Sequence, residues 1–440
     1  MNEKLKELKY LSLMIGIFVL AFYIPFDSFR FKSGLMEAFY MLQEYAQLHV
    51  LYCLIPALFI AGAVSVFISQ AAVLKYLGAK APKWVAYSVA SVSGAILAVC
   101  SCTILPLFSG IYKRGAGLGP AIAFLYSGPA INILAIIMTA RILGIQIGIA
   151  RALGAVVFSV VIGLCMHLIF RKEEQKRQDS VMTAGMDDEA KPLWQTIIYF
   201  GLMIVILLVL NWAKPNEATG SNFMNFMFAN KWVISAGSAL ILGFVLNRFY
   251  GLSFWKVIVS AIVVGGAAFF TQNMKFIGQP VIPYLVAIIL LIIWLAVDDG
   301  ELNDWLGSTW TFAKLIIPLL FIGVMIAGSL LGRPGHEAWI PSHWIESAVG
   351  GNSLLANFFA AISGAFMYFA TLTEVPILQG LMGAGMGKGP ALALLLSGPA
   401  LSLPSMLVIN SVIGIKKTVT FVALVIVFST FTGYIFGLIA

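Results

Sequence analysis

Long apolar stretches recur along the whole chain and are separated by short polar joints. Each stretch is long enough to cross a bilayer core of about 30 Å, at a rise of about 1.5 Å per helical residue. The composition agrees, because 60% of the residues are hydrophobic, only 10% are charged and the mean hydropathy is +0.96. We therefore predict an all-α polytopic membrane protein, multi-pass in the inner (plasma) membrane of the cell.

The formal net charge of +8 would suggest nucleic-acid binding in a soluble protein. Here the Lys and Arg residues lie in the joints, where they orient the chain against an anionic membrane face, so no nucleic-acid partner is expected. All four cysteines lie in apolar segments, which argues against a secreted disulfide framework: Cys53, Cys100, Cys102 and Cys165.

The apolar segments predict about thirteen spans. The first is Leu11 to Phe26, and the longest basic joint, residues 171–177, is expected in the cytoplasm, which conflicts with a cytoplasmic N-terminus at that count. The predicted organisation is an N-terminal helix and interfacial segment (1–48), a first repeat (49–170), a solvated polar linker (171–192), a central block of about four spans (193–300) and a second repeat (301–440).

The chain contains an internal repeat. Gly110 to Ala130 aligns without gaps on Gly380 to Ala400 at an offset of 270 residues, and twelve of the twenty-one positions are identical. The same offset also pairs several residues outside this block: Gly94 with Gly364, Pro106 with Pro376, Gly144 with Gly414, Ser159 with Ser429 and Gly163 with Gly433. Duplicated halves with interrupted helices are typical of transporters with a central site. The alternative is that Gly and Pro recur only because the helices pack closely.

Two prolines in each half are predicted to break a membrane helix: Pro106 and Pro129, and Pro376 and Pro399. Proline has no N–H group, so the carbonyl four residues earlier loses its partner. An unpaired carbonyl is tolerated in a membrane only where it faces protein or a wet cavity. The four breaks therefore outline a candidate site.

The first break contains Cys100, Ser101, Cys102 and Thr103. Residues two apart diverge by about 200° on an intact helix, so both thiols face one solute only if the segment is unwound. Thiolates bind soft partners such as Cu(I), Zn(II) or trivalent arsenic, which makes Cys100 and Cys102 candidate metal ligands. The alternative is that these cysteines simply fill a tight interface.

The matching segment of the second half lacks cysteine and carries Thr373 and Glu374. An ionisable residue between apolar stretches is usually functional, so Glu374 is a candidate ion-coupling residue that carries a proton. The alternative is a carboxylate at a helix end. Ser127, Asn132, Ser397 and Ser402 lie at or after the Ser-Gly-Pro turns, and either bind freed carbonyls or line a polar path to the substrate.

The segments CSCTILPLFSGIYKRGAGLGPAIAFLYSGPAIN and TLTEVPILQGLMGAGMGKGPALALLLSGPALSLPS resemble the predicted-permease family once listed as DUF318, which includes ArsP-type organoarsenical efflux permeases. The resemblance implies secondary transport, with Cys100, Cys102 and Glu374 at motif positions. The family pattern usually has Gly where this chain has Thr103.

The leading hypothesis is an efflux permease for a thiophilic solute, such as trivalent methylated arsenic or a soft metal ion. One alternative is a permease for a small sulfur-containing or other anion, held at positive half-helix N-termini. Another is a non-transporting membrane scaffold. The sequence contains no phosphate-binding loop and no catalytic or cofactor motif, so neither an enzyme nor a bound cofactor is expected. Homo-oligomerisation stays open.

Overall fold

The computed structural model describes residues 28–67, 70–78, 81–97, 101–131, 133–183, 193–212, 222–271, 281–333, 348–367, 374–383 and 385–440, with isolated residues in 10–23 and 336–340. Within these ranges the fold is all-α, as predicted. Extended pairing there is limited to isolated bridges from Gly350 and Gly351 to Met386.

In the part of the chain described from residue 28 onward, nine α-helices precede the central block. A π-helical segment, Ala46–Leu54, links the first two helices. The helices are α1 (Phe29–Tyr45), α2 (Ile55–Phe67), α3 (Gln70–Leu77), α4 (Lys83–Leu97), α5 (Ser101–Lys113), α6 (Leu118–Ala130), α7 (Ile133–Ile142), α8 (Ile145–Ile169) and α9 (Arg171–Thr183).

The central block and the second repeat supply ten more helices. They are α10 (Leu193–Leu210), α11 (Asn222–Tyr250), α12 (Phe254–Thr271), α13 (Val281–Val297), α14 (Glu301–Leu331), α15 (Leu354–Phe366), α16 (Glu374–Gly383), α17 (Lys388–Ser397), α18 (Leu403–Ile413) and α19 (Ile415–Ile439).

Among the described residues, six helices are long and apolar enough to cross a bilayer, or seven if α6 and α7, bent by 48°, form one span. Five more apolar helices have only 10–17 residues, and a ten-residue helix covers about 15 Å, half of a bilayer core. The thirteen spans expected from the sequence therefore exceed the full-length candidates among the described residues. The expected first span, Leu11 to Phe26, lies largely outside those residues.

Two central helices are enclosed by protein. Every residue of α6 is buried, and so is every residue of α17 from Gly389 to Ser397. α4 and α8 pack on α6, while α15 and α19 pack on α17. A helix that is apolar all round and covered on all sides belongs to the interior of the bundle. Ser127, Gly128 and Pro129 therefore lie within the last turn of α6, which Pro129 does not break before its end at Ala130. Ser397, Gly398 and Pro399 lie at the end of α17.

Helices of the two repeats correspond at the sequence offset of 270. α19 begins and ends at positions equivalent to those of α8, and α18 begins at the position equivalent to the start of α7. The backbone turns correspond as well, because Gly115 and Gly385 both have positive φ, 103° and 106°. Only glycine adopts such angles without strain, which accounts for its presence at both positions.

The close helix contacts are also repeated. A Cβ added at Gly163 would lie 2.7 Å from the carbonyl oxygen of Gly119, and one added at Gly433 would lie 2.6 Å from that of Gly389. At the boundary between the halves, the Tyr126 hydroxyl donates to the Leu396 carbonyl at 2.8 Å, and these residues are 270 apart. These contacts explain the matched glycines as packing surfaces within two similar substructures.

The equivalent helices α8 and α19 pack together in opposite directions. At the start of α19, Lys417 Nζ lies 2.5 Å from Oε1 of Glu174, which follows the end of α8. At the other end, Lys388 Nζ lies 3.0 Å from the carbonyl of Ala440, after α19, and 3.5 Å from Oε1 of Gln146, at the start of α8. Equivalent helices therefore cross the membrane in opposite directions, as in inverted-topology repeats.

The polar segment after α8 is more ordered than the solvated linker that the sequence suggests. Residues 171–183 form helix α9, and Glu174 is only 4% exposed, because it packs between the two repeats. Residues 184–192 of that segment lie outside the described residues. The neighbouring residues 171–173, 175 and 176 are exposed, as expected for a solvated segment, and Glu174 is the buried exception.

The two ends of the bundle differ in basic residues. Five lie at the end opposite α9: Arg30, Lys32, Arg141, Arg333 and Lys388. More lie at the α9 end: Lys113, Arg114, Arg171, Lys172, Lys176, Arg177, Lys416 and Lys417. The positive-inside rule therefore assigns α9 to the cytoplasmic face and Ala440 to the other face.

This orientation is tested with reporter fusions. Alkaline phosphatase fused after Ala440 is expected to be active and green fluorescent protein there to be dark, since only the first folds productively outside the cytoplasm. The same reporters inserted after Thr183 are expected to give the opposite result. A fluorescent fusion at Ala440 would contradict the assignment.

Candidate functional site

Two short helices, α5 and α16, each contain a proline near their start. Pro106 lies inside α5, five residues after its start at Ser101, and therefore offers no N–H group to the carbonyl of Cys102. Pro376 is the third residue of α16, and a proline in a first helical turn lacks an N–H group that would have no intrahelical partner anyway. The residues just before these helices, 98–100 and 368–373, lie outside the described residues.

The predicted cysteine site is only partly described. Cys100 and Thr373 lie outside the described residues; Cys102 is the second residue of α5, and its side chain is outside them too. Thr103 is fully buried. Among the described side chains, no group of three or more His, Cys, Asp or Glu residues could hold a metal ion. Metal or arsenic binding at Cys100 and Cys102 stays a prediction.

The hydroxyl groups near Pro129 and Pro399 bind neighbouring backbone. Ser127 Oγ donates to the Phe124 carbonyl at 3.1 Å, and Ser397 Oγ donates to the Leu394 carbonyl at 3.3 Å. Ser402 caps α18 by accepting from the Ser405 backbone N–H at 3.3 Å. Asn132 lies outside the described residues. Neither Ser127 nor Ser397 donates to the carbonyl that the following proline frees, that of Leu125 or Leu395, so both roles left open for the serines stay predictions.

Glu374, the predicted coupling residue, is buried against an arginine of the other repeat. Its Oε1 accepts from the Arg151 guanidinium, and the two side chains are 1% and 0% exposed. Arg151 Nη1 also donates to Thr139 Oγ1 at 2.8 Å, and that hydroxyl donates to the Ala135 carbonyl at 2.7 Å. The charged pair therefore joins α8 and α7 of the first repeat to α16 of the second.

The pair is not fully satisfied. Arg151 Nε and Glu374 Oε2 are buried without a hydrogen-bond partner among the described residues. The free carboxylate oxygen can therefore bind a proton, and the Nε–H group can donate a hydrogen bond to an anion. Arg151 lies six residues after the start of α8, about 9 Å along the helix from the face opposite α9.

The three positions that correspond to this charged group at the repeat offset contain no charged residue. α18 packs on α5 as α7 packs on α16. At the offset of 270, Arg151 corresponds to Phe421, Thr139 to Ile409 and Glu374 to Ile104. All three apolar residues are buried in the main hydrophobic cluster. The same framework is therefore stable with an apolar trio, so packing does not require Arg151 and Glu374.

Burial makes the pair an unfavourable choice for stability alone. Desolvation of two charges often exceeds their attraction, and well-packed apolar residues of similar volume are frequently as stable or more so. Ionisable residues inside a membrane usually mark substrate or proton sites. The sequence analysis identified Glu374 but missed Arg151, although an arginine inside the 25-residue apolar helix α8 was a signal of the same kind.

The fold and the buried pair define a helical multi-pass membrane protein with paired interrupted helices. Residues 35–438 match the ArsP-type family described as "Predicted permease", and the chain belongs to this family. The resemblance seen in the two repeat segments is confirmed, and the family is one of transport proteins.

The sequence is similar to those of two known proteins. The chain is 43% identical over 399 residues to "UPF0718 protein MJ0584" of Methanocaldococcus jannaschii, which covers 90% of this chain and 94% of that protein. It is 34% identical over 113 residues to "UPF0718 protein YraQ" of Escherichia coli strain K12, covering 26% of this chain and 30% of that protein. No solved structure matches the chain.

The apolar residues at the corresponding position provide a control for variants of the charged pair. The variant Arg151→Phe is expected to lower the free energy of unfolding by about 3 to 5 kcal/mol, because it leaves Glu374 as an uncompensated buried charge. The double variant Arg151→Phe/Glu374→Ile copies the residues of the related position and is expected to recover most of that loss. Unfolding of the purified protein in mixed micelles measures both. A double variant no more stable than Arg151→Phe would contradict the comparison.

Proposed function

We propose that this protein is a proton-coupled secondary permease whose coupling site is the Arg151–Glu374 pair. One observation carries the proposal: a buried, incompletely satisfied ion pair joins the two repeats at a position whose counterpart is apolar. Charges that the framework does not need for packing, and that are costly to bury, are expected to serve transport.

Coupling follows from the chemistry of the pair. A proton delivered to the free Oε2 of Glu374 makes the carboxyl neutral and removes most of its attraction for Arg151. Arg151 is then an unpaired buried cation, which favours either an anion beside it or a rearrangement of α8 against α16. Protonation at one residue is thereby linked to the relative position of the two repeats.

The substrate class proposed first is a small thiophilic solute, exported from the cell. The support is the resemblance of the Cys-Ser-Cys segment to ArsP-type organoarsenical permeases, together with the affinity of thiolates for trivalent arsenic and soft metal ions. Cys102 stands at the start of α5, and Cys100 directly precedes that helix at the interruption. In this proposal the thiols bind the solute and Glu374 carries the proton.

A small anion is the second candidate substrate, and Arg151 favours it. Its guanidinium is buried, its Nε has no hydrogen-bond partner among the described residues, and protonation of Glu374 would release it. Guanidinium groups bind carboxylate-like and phosphate-like anions through paired hydrogen bonds. A non-transporting scaffold is the remaining alternative, and it predicts that neither the thiols nor Glu374 affects any phenotype.

Proton coupling is tested with Glu374→Gln, which keeps the shape of the side chain and removes its titration. The variant is expected to lose pH-gradient-driven transport in membrane vesicles entirely, while Glu301→Gln, which removes an exposed acid at the start of α14, keeps it. Thermal unfolding of both variants shows that the folds are intact. Unchanged transport by Glu374→Gln would refute proton coupling at this residue.

The substrate class is tested by a toxicity screen in a sensitive host. Wild-type protein is expected to protect against a trivalent methylated arsenical or a soft metal ion, and Cys100→Ser and Cys102→Ser are each expected to abolish protection. Cys165→Ser is the matched control, because that free thiol is half-buried in α8, away from the interruption. Protection that is independent of Cys100 and Cys102 would redirect the search to anions.

A further inference from the structure

Polar side chains from three separate parts of the chain meet at the cytoplasmic end of the bundle. Glu174 of α9 accepts from the Tyr112 hydroxyl at 2.8 Å and from Lys417 Nζ at 2.5 Å. Arg177, also on α9, donates to the other carboxylate oxygen of Glu174 at 3.0 Å. We name Tyr112, Glu174, Arg177 and Lys417 the α9 clasp.

The clasp connects the first repeat to the second. Tyr112 belongs to α5 of the first repeat and Lys417 to α19 of the second, and their polar atoms are 3.4 Å apart. Arg177 strengthens the first-repeat side, because it donates to the carbonyls of Tyr112 and Ala116 at 3.0 and 2.6 Å and lies over the Tyr112 ring. Lys417 is thus the residue that links α19 to this group.

The clasp is charged at neutral pH. Burial alone would raise the pKa of Glu174, but the hydrogen bond from Lys417, the charge of Arg177 and the hydrogen bond from Tyr112 outweigh burial and lower the pKa below its usual value. Glu174 therefore meets the two cations as a carboxylate, and the contact between the repeats is an ion pair.

The opposite end of the bundle has no such arrangement at the equivalent positions. Lys417 corresponds to Ile147, which belongs to the second hydrophobic cluster, and Tyr112 corresponds to Met382, which is partly buried and packs against that cluster. Polar contact between the repeats at that end includes exposed Lys388 with Gln146. Packing of the framework thus requires no charges at these positions, as at the Arg151–Glu374 pair.

We propose that the α9 clasp is the gate that closes the cytoplasmic face between the two repeats, and that Lys417 leaves Glu174 and Tyr112 when this face opens to solute. The proposal rests on the proposed function only in taking the protein to be a transporter. In inverted repeats, access alternates by movement of one repeat against the other, so a contact across their boundary must break once in each cycle.

Charged partners suit a contact that breaks and re-forms. Each separated side chain is well hydrated, whereas a separated apolar contact exposes hydrophobic surface to water. The clasp also lies far from the Arg151–Glu374 pair, since α8 places 18 residues, about 27 Å, between Arg151 and Ile169. Gating and coupling are therefore assigned to different residues and can be tested separately.

The test measures the opening of this face directly. Spin labels replace Lys75, on α3 of the first repeat, and Lys416, on α19 of the second, in a chain whose four cysteines are serine. Both lysines are exposed. Pulsed electron–electron double resonance is expected to give one short distance between the two labels in the otherwise unchanged protein. Glu174→Gln and Lys417→Gln are each expected to add a longer-distance population.

Two controls make the result specific. Lys176→Gln removes an exposed charge of α9 outside the clasp and is expected to leave the distance unchanged. A second label pair at Arg141 and Leu438, on the other face, is expected to keep a narrow distribution in all variants, which reports an intact fold. Unchanged distances at the cytoplasmic pair in both clasp variants would overturn the proposal. So would broadening at both faces.

The distance measurement needs no substrate and no proton gradient. A longer population in the clasp variants supports the gate even if Glu374→Gln transports normally, in which case only proton coupling fails. Conversely, loss of transport in Glu374→Gln with unchanged distances in Glu174→Gln and Lys417→Gln refutes the gate and leaves the coupling proposal standing.

Discussion

The fold depends on the fact that lipid cannot hydrogen-bond the backbone. A helix may end inside a membrane only where protein or a water-filled space covers the free groups. α6 and α17 meet this condition, because neighbouring helices bury them on every side before each reaches its Ser-Gly-Pro turn. The close approach that encloses them needs residues without side chains, as at the contact of Gly119 with Gly163. The interruptions, and any site they form, exist because these two helices are enclosed.

At two sets of equivalent positions, the nearly symmetrical framework has charged residues at one position and apolar residues at the other. Arg151 and Glu374 join the repeats where Phe421 and Ile104 occupy the related positions, and Lys417 meets Glu174 where Ile147 packs in an apolar cluster. The apolar partners indicate what the framework needs for stability. Packing of the framework does not explain the buried Arg151–Glu374 pair or the α9 clasp. The approximate symmetry thus distinguishes the residues that packing explains from those that it does not explain.

The sequence predicted the repeated elements well, because they are local. Apolar length predicts long helices such as α8 and α19, whereas two of the prolines predicted to break a helix, Pro106 and Pro129, lie inside α5 and α6. The partner of Glu374 could not be predicted, since Arg151 lies 223 residues away and only the packing of the repeats brings them together. Glu174 was hidden for another reason: in a run of charged residues, nothing in the local pattern distinguishes the one carboxylate that is buried.

The hydrogen bond from Tyr126 to the carbonyl of Leu396 has a consequence for how such a protein can change. A residue that touches its own counterpart lies near an axis of two-fold symmetry, as in a homodimer. In a true homodimer every substitution appears on both sides of the axis, so an arginine introduced on one side is also present at the equivalent position on the other. Joining both copies in one chain removes that restriction. Here one repeat has a phenylalanine, Phe421, where the other has a cation, Arg151, a difference that two identical subunits cannot have.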